Sequence, residues 1–181
     1  MKICIDPGHG GEDSGAVGPG GLKESEAALD ISRYVRRGLL DQGEDVIVTR
    51  DADNFVSLPG RCDYANEENA DLFISIHCNA FTNPKAHGYE VWTSRGVTDA
   101  DRVAELLFGS IGAAFPKLKA RMDLTDGDSD FEAGFAVLVG TSMPAVLIET
   151  AFISNLIEER WLGDVGWKMR MAGAIVSALR R

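Results

Sequence analysis

Apolar positions along this chain follow two alternating rhythms. Short runs over 2–6 (KICID), 45–49 (DVIVT), 71–77 (DLFISIH), 88–93 (GYEVWT), 135–139 and 145–150 are of strand type, β-branched or apolar nearly throughout. Between them the spacing lengthens. Ala27, Ile31, Val35 and Leu39 recur every four residues and predict an amphipathic helix over 24–42, ended by Gly43. Ser57 before a proline-containing first turn predicts a helix over 58–69. Thr98, with Asp101 three residues on, opens another that runs to Phe115. Asn155 with Glu158 caps a short helix, and a last one covers 166–179. Strands apolar on both faces, alternating with helices, predict an α/β fold. Its sheet is expected to be central, twisted and largely parallel, with about six strands and helices on both faces.

Two stretches break the rhythm. Residues 7–21 hold seven glycines and two prolines and read as a loop. Residues 117–134 are polar and acidic and read as a long surface loop, of a length that suits the border of a substrate groove. There is no internal repeat and no linker, so residues 1–181 are expected to form a single domain.

Composition narrows the partners. Lys and Arg number 18 against 28 Asp and Glu, a formal charge of −10, which disfavours nucleic acid and anionic lipid. No apolar stretch approaches the roughly 20 residues of a membrane helix. The opening MKICIDPGHGG is not a secretory signal, so the chain as given is expected to carry no export address of its own. Cys4, Cys62 and Cys78 are odd in number with no paired spacing, which fits reduced thiols. A monomer is expected.

Candidate chemistry gathers at strand ends. In open α/β sheets ligands bind beyond the carboxyl ends of the strands. The first strand delivers Asp6 and then His9, the third ends in His77, the last in Glu149, and Glu24 opens the helix after the first strand. His9, Glu24 and His77 form a two-imidazole, one-carboxylate set, the ligand pattern of a catalytic zinc with a fourth place for water. Glu149 is then left as general base. Spacing by itself decides little: separations of 15 and 53 residues match no local metal motif, and a loop His or a Glu at a helix start commonly has a packing or dipole role.

Longer blocks say more. Ile5-Asp6-Pro7-Gly8-His9-Gly10-Gly11, Asp13-Ser14-Gly15-Ala16 and Gly21-Leu22-Lys23-Glu24 stand in order at the start. Thr49-Arg50-Asp51, Leu58 with Arg61, Ala65-Asn66, Ala70-Asp71, Ser75-Ile76-His77-Cys78-Asn79-Ala80 and Met143 to Glu149 follow, then Ala151-Phe152-Ile153-Ser154-Asn155. Together they resemble the zinc-dependent N-acetylmuramoyl-L-alanine amidases of the type 3 family across essentially the whole chain. The resemblance implies zinc, one ion per chain, on His9, Glu24 and His77, with Glu149 catalytic. It implies a peptidoglycan substrate, cut at the amide between N-acetylmuramic acid and the L-alanine of the stem peptide, as in endolysins and autolysins. Thr150-Ala151 departs from the Leu-Gly or similar pair usual after the catalytic Glu, and a small packing adjustment is expected there. Some relatives insert a regulatory helix before the last strands. Residues 88–140 are already filled by other elements, so activity without a partner is expected.

Other features have plainer readings. Asn79, two residues past a ligand, is the candidate to support the metal set from behind. Arg61 is expected in a structural ion pair, and Arg50 in a supporting or substrate role. Cys78 beside His77 is a poor nucleophile–base pair, since neighbours on a strand diverge. His87 reads as a solvated loop residue. Asp126, Asp128, Asp130 and Glu132 mimic a calcium loop, but Phe131 and Val137 stand where Gly and Glu are needed, which leaves a solvated acidic loop. A peptidase acting elsewhere in the stem peptide and a non-catalytic wall-binding module are the competing readings.

Overall fold

The computed structural model describes residues 1–125 and 127–180. Strands β1 (Lys2–Pro7), β2 (Asp45–Val48), β3 (Leu72–Asn79), β4 (Glu90–Thr93), β5 (Phe131–Glu132) and β6 (Ala145–Phe152) form one sheet in the order β2-β1-β3-β6-β4-β5. β2, β1, β3 and β6 are parallel, whereas β4 runs antiparallel to β6 and carries β5 parallel to itself. The expected α/β sheet, largely parallel and six-stranded, is the one observed.

Alternation along each strand supplies two cores. Ile3, Ile5, Ile74, Ile76, Val146 and Ile148 pack with α1 (Glu24–Asp41), α3 (Asp99–Ala114) and α6 (Val165–Ala178). Cys4, Phe73, Ala145 and Leu147 face the other way, onto α2 (Leu58–Glu67) and α4 (Ala136–Val139). α5 (Leu156–Gly163) follows β6 and packs on α6. The four-residue stripe of α1 is fully inside: Ala27, Ile31, Val35 and Leu39 are buried. Gly43, at φ +83°, ends that helix in a conformation other side chains resist. The Ser57 side chain accepts the Gly60 N–H, and Thr98 and Asp101 form the expected capping box.

The connections place the site. β1 leads through α1 to β2 on one side, and β2 returns through α2 to β3 on the other side of β1. Right-handed crossovers in opposite directions put their helices on opposite faces. The strand order therefore reverses beside β1, and a crevice opens at the carboxyl ends of β1 and β3.

Two expectations are corrected. Residues 135–139 are not a strand: Ala136–Val139 is the single helical turn α4, with Val137 and Leu138 buried and Ala136 and Val139 exposed. Five apolar residues between glycines carry no period that separates a strand from a buried turn. The acidic segment is not wholly loop either, because Phe131–Glu132 adds the edge strand β5, and Phe131 stacks on Trp92 at 4.8 Å between ring centroids. Nor is it wholly solvated. Asp130 is buried and accepts a hydrogen bond from the Thr93 hydroxyl at 2.6 Å. Asp126 lies outside the described residues.

Candidate metal centre

The exit of β1 is held in an unusual path. His9 has φ +59°, a left-handed conformation rare for a residue with a side chain and costly unless its surroundings enforce it. Two buried arginines do so. Arg61 on α2 donates to Pro7 O (2.7 Å), His9 O (2.7 Å) and Val56 O (3.0 Å), and pairs with Asp6 Oδ1 at 2.6 Å. Arg50 donates to Pro7 O, Gly8 O, Ser25 O and Ala52 O. Arg61 is thus the structural ion pair expected, and Arg50 clamps backbone from β1 and α1 together. Asp6 also accepts from the hydroxyls of Thr49 and Ser75, so its role is to anchor the rim. Gly8 leaves room for chemistry: a Cβ there would sit 2.3 Å from the His77 ring.

On this rim His9, Glu24 and His77 converge, with one ligand atom of each within 4.8 Å of the others. Glu24 stands between the imidazoles. Its Oε1 lies 2.8 Å from His77 Nδ1 and 3.1 Å from His9 Nε2, and accepts the Cys78 N–H; its Oε2 accepts the Ala16 N–H. Burial alone would raise the Glu24 carboxyl, but the two imidazoles hold it well below the usual carboxylate range. Burial alone would lower His9, and the carboxylates of Glu24 and Asp13 reverse this and raise it overall.

Asp13 is the residue that sequence reading missed. Its Oδ2 meets His9 Nδ1 at 2.8 Å, which turns Nε2 towards Glu24 and supplies the carboxylate that a metal-binding imidazole commonly needs behind it. Its spacing of four from His9 was the available signal, hidden because the loop around it has no regular period. Two nitrogens and an oxygen at this separation suit one first-row divalent ion with ligands at roughly 2.0–2.2 Å. The donor set therefore fits a metal.

Glu149 stands next to the set. It is the cross-strand neighbour of His77 in the β3–β6 pair, so both side chains leave the same face. Its Oε2 is buried and has no hydrogen-bond partner. Burial, then the charges of Glu24 and Glu90, push the carboxyl well above its ordinary range. An orphaned buried carboxylate is costly, and a functional partner is the usual reason one persists. Just beyond it a bulge lets His77 and Asn79 span Glu149 to Phe152, and the buried Thr150 hydroxyl donates to His77 O at 3.0 Å. Thr150 thereby ties the two functional strands together.

Asn79 lines the same pocket, but its amide donates to Glu90 Oε2 at 2.8 Å and makes no hydrogen bond to His9, Glu24 or His77. Glu90, opposite Glu149 on β4, also accepts from Trp92 Nε1 and Arg121 Nε. Cys78 points away from His77 into the first core, where burial raises its thiol well above the ordinary value. His87 is exposed, with Nδ1 on Lys85 O. The pocket, about 430 Å³, is lined by His9, Glu24, His77 and Glu149 together with the apolar side chains of Phe55, Val56, Leu58 and Phe135.

Residues 3–181 match the family described as N-acetylmuramoyl-L-alanine amidase. The chain belongs to that family. It is 35% identical to the amidase AmiA of Escherichia coli K12, covering 98% of this chain and 74% of that one. That alignment runs over 215 positions, more than the 181 residues here, so AmiA holds residues without a counterpart in this family member. AmiC of Neisseria meningitidis is 32% identical over 99% of this chain, which spans 52% of that relative's length. Among solved structures, the amidase AmiC2 of Nostoc punctiforme superposes with a TM-score of 0.91 at 36% identity, covering 99% and 94% of the two chains.

Proposed function

We propose that this chain is a zinc-dependent amidase, a single catalytic domain that hydrolyses the amide between N-acetylmuramic acid and the L-alanine of the stem peptide. The observation that carries the reading is the meeting of His9, Glu24 and His77 on one rim, with the unpartnered Glu149 carboxyl as their cross-strand neighbour. Zinc held by His9, Glu24 and His77 would supply Lewis-acid chemistry, polarising a carbonyl and making water more acidic. The remaining steps belong to the protein. Glu149 takes the proton of the attacking water as its oxygen bonds to the carbonyl carbon, then delivers that proton to the amine as the C–N bond breaks. One carboxyl must do both, because an unprotonated amine is a poor leaving group. Its raised proton affinity suits the second half of the cycle.

The imidazoles of His9 and His77 reach solvent, at 25% and 18% exposure. This supports an enzyme that works without a regulatory helix, in the manner of a lysin or autolysin acting on the wall. Among the described residues no helix is long and apolar enough to cross a membrane.

Digestion of purified sacculi followed by mass spectrometry is expected to release intact stem peptides with a free L-alanine amino terminus. Chelation should abolish the release and added zinc restore it. Fragments cut inside the stem peptide would instead identify a peptidase, and sedimentation with sacculi without clearing would identify a binding module.

Zinc and protons should compete. Metal-free His9 keeps its proton past its ordinary 6.5, because the flanking carboxylates raise it. In that state the stabilisation it contributes is full below 6.5 and is lost as the pH rises through its raised value. Zinc must displace the proton, so titration calorimetry is expected to show tighter binding at about pH 8 than at about pH 6, with proton release on binding. Equal affinity at both would remove His9 from the ligand set.

A further inference from the structure

Beside the catalytic pocket, on the same sheet face and towards β4 and β5, lies a second cleft of about 560 Å³. Asn79 lines both, and its hydrogen bond to Glu90 forms the boundary between them. The chain carries a net charge of −10, yet this cleft is lined by Lys85, Lys119 and Arg121 against the single carboxylate of Glu90. Arg121 already neutralises Glu90, with Nε 2.6 Å from Oε1, and lies over the Phe152 ring. Lys85 and Lys119 are exposed, and neither ammonium makes an ion pair among the described residues.

The two lysines sit on segments that are fastened together. Tyr89 donates its N–H to Lys119 O at 2.9 Å, and Arg121 donates its N–H to Tyr89 O at 3.0 Å. Gly88, at φ +113°, permits this approach, since a Cβ there would lie 2.3 Å from Lys119 O. The floor is aromatic, with Trp92 stacked on Phe131.

We propose that this cleft receives the stem peptide, and that Lys85 and Lys119 recognise its free carboxylates. The inference rests on the amidase reading and assigns a direction to the substrate. The muramic acid carboxyl is consumed in the amide, so the sugar arm arrives uncharged and suits the apolar side chains of Phe55, Val56 and Leu58 that line the catalytic pocket and not the second cleft. The peptide arm beyond L-alanine keeps carboxylates, and the second cleft, which shares Asn79 with the catalytic pocket, offers them the unpaired ammonium groups of Lys85 and Lys119.

The test compares two muramoyl-peptide substrates, one with free peptide carboxylates and one with those carboxylates amidated, on wild type and on the K85Q/K119Q variant. Wild type is expected to favour the free acid by about 5- to 10-fold in kcat/KM at low salt, mainly through KM, as two exposed charge contacts would provide. In the variant that preference should collapse to near one, with an unchanged melting temperature. Equal cleavage of both substrates by wild type, or a preference that survives in the variant, overturns the inference while leaving the amidase reading intact. Cleavage of neither by zinc-loaded wild type overturns both.

Discussion

Glu149→Ala is expected to fold, to keep its metal and to lose turnover by about 10²–10⁴-fold, the range that positioned proton transfer contributes. That corresponds to about 3–5 kcal/mol of transition-state stabilisation. The loss should fall on kcat, because the carboxyl is needed when the proton moves more than when the substrate binds. A second readout separates this from damage to the fold. Glu149 Oε2 is buried without a partner, and removing an unsatisfied buried polar group relieves a desolvation cost. The metal-free Glu149→Ala and Glu149→Gln proteins should therefore melt no lower than metal-free wild type. Near-wild-type turnover in either variant would exclude Glu149 from the reaction.

Arg61→Ala should do the opposite, striking stability first. Its guanidinium is buried at 3% exposure against Asp6 at 1%, and it also holds Pro7 O, His9 O and Val56 O. Breaking a buried ion pair by removing one partner costs about 3–5 kcal/mol, since the other charge stays behind uncompensated. Thr49 and Ser75 still donate to Asp6, which places the expected loss at the lower end of that range. Denaturant unfolding measures it. Zinc affinity should fall as well, because His9 keeps its positive φ only while its carbonyl is held. Should Arg61→Ala not fold, Arg61→Lys restores the charge without the planar fork and is expected to fold with an intermediate loss. A loss below about 1 kcal/mol in Arg61→Ala would show that the pair is not what secures the rim.

Much of the architecture is visible in local pattern. The stripe Ala27, Ile31, Val35 and Leu39 needs only the helical period to be read, and Thr98 with Asp101 needs only a spacing of three. The parallel strands declared themselves by lacking polar alternation, because both faces are covered. Failures cluster where local signals are weak or shared. Val137 and Leu138 bury side by side on one helical turn, which an apolar run describes equally well as strand. β5 is two residues long and exists because Phe131 finds Trp92, a partner 39 positions away.

The candidate site shows the same division. His9, Glu24, His77 and Glu149 were each legible as chemistry-bearing residues at element ends, and the family blocks around them named the set. Asp13 and Glu90 were not, since one acts from an aperiodic loop and the other reads as an ordinary strand residue until β4 is laid antiparallel on β6. By itself the sequence determined which of the longer segments are strands or helices, where most of them stop and which residues can ligate or transfer a proton, because these depend on neighbours within a few positions. Tertiary structure alone decided that residues 15 and 53 apart share one rim, that Glu149 lies beside His77, and that the lysines at 85 and 119 line one cleft. Those facts depend on strand order and register, which are set by packing both faces of the sheet at once and leave no mark in any short stretch of chain.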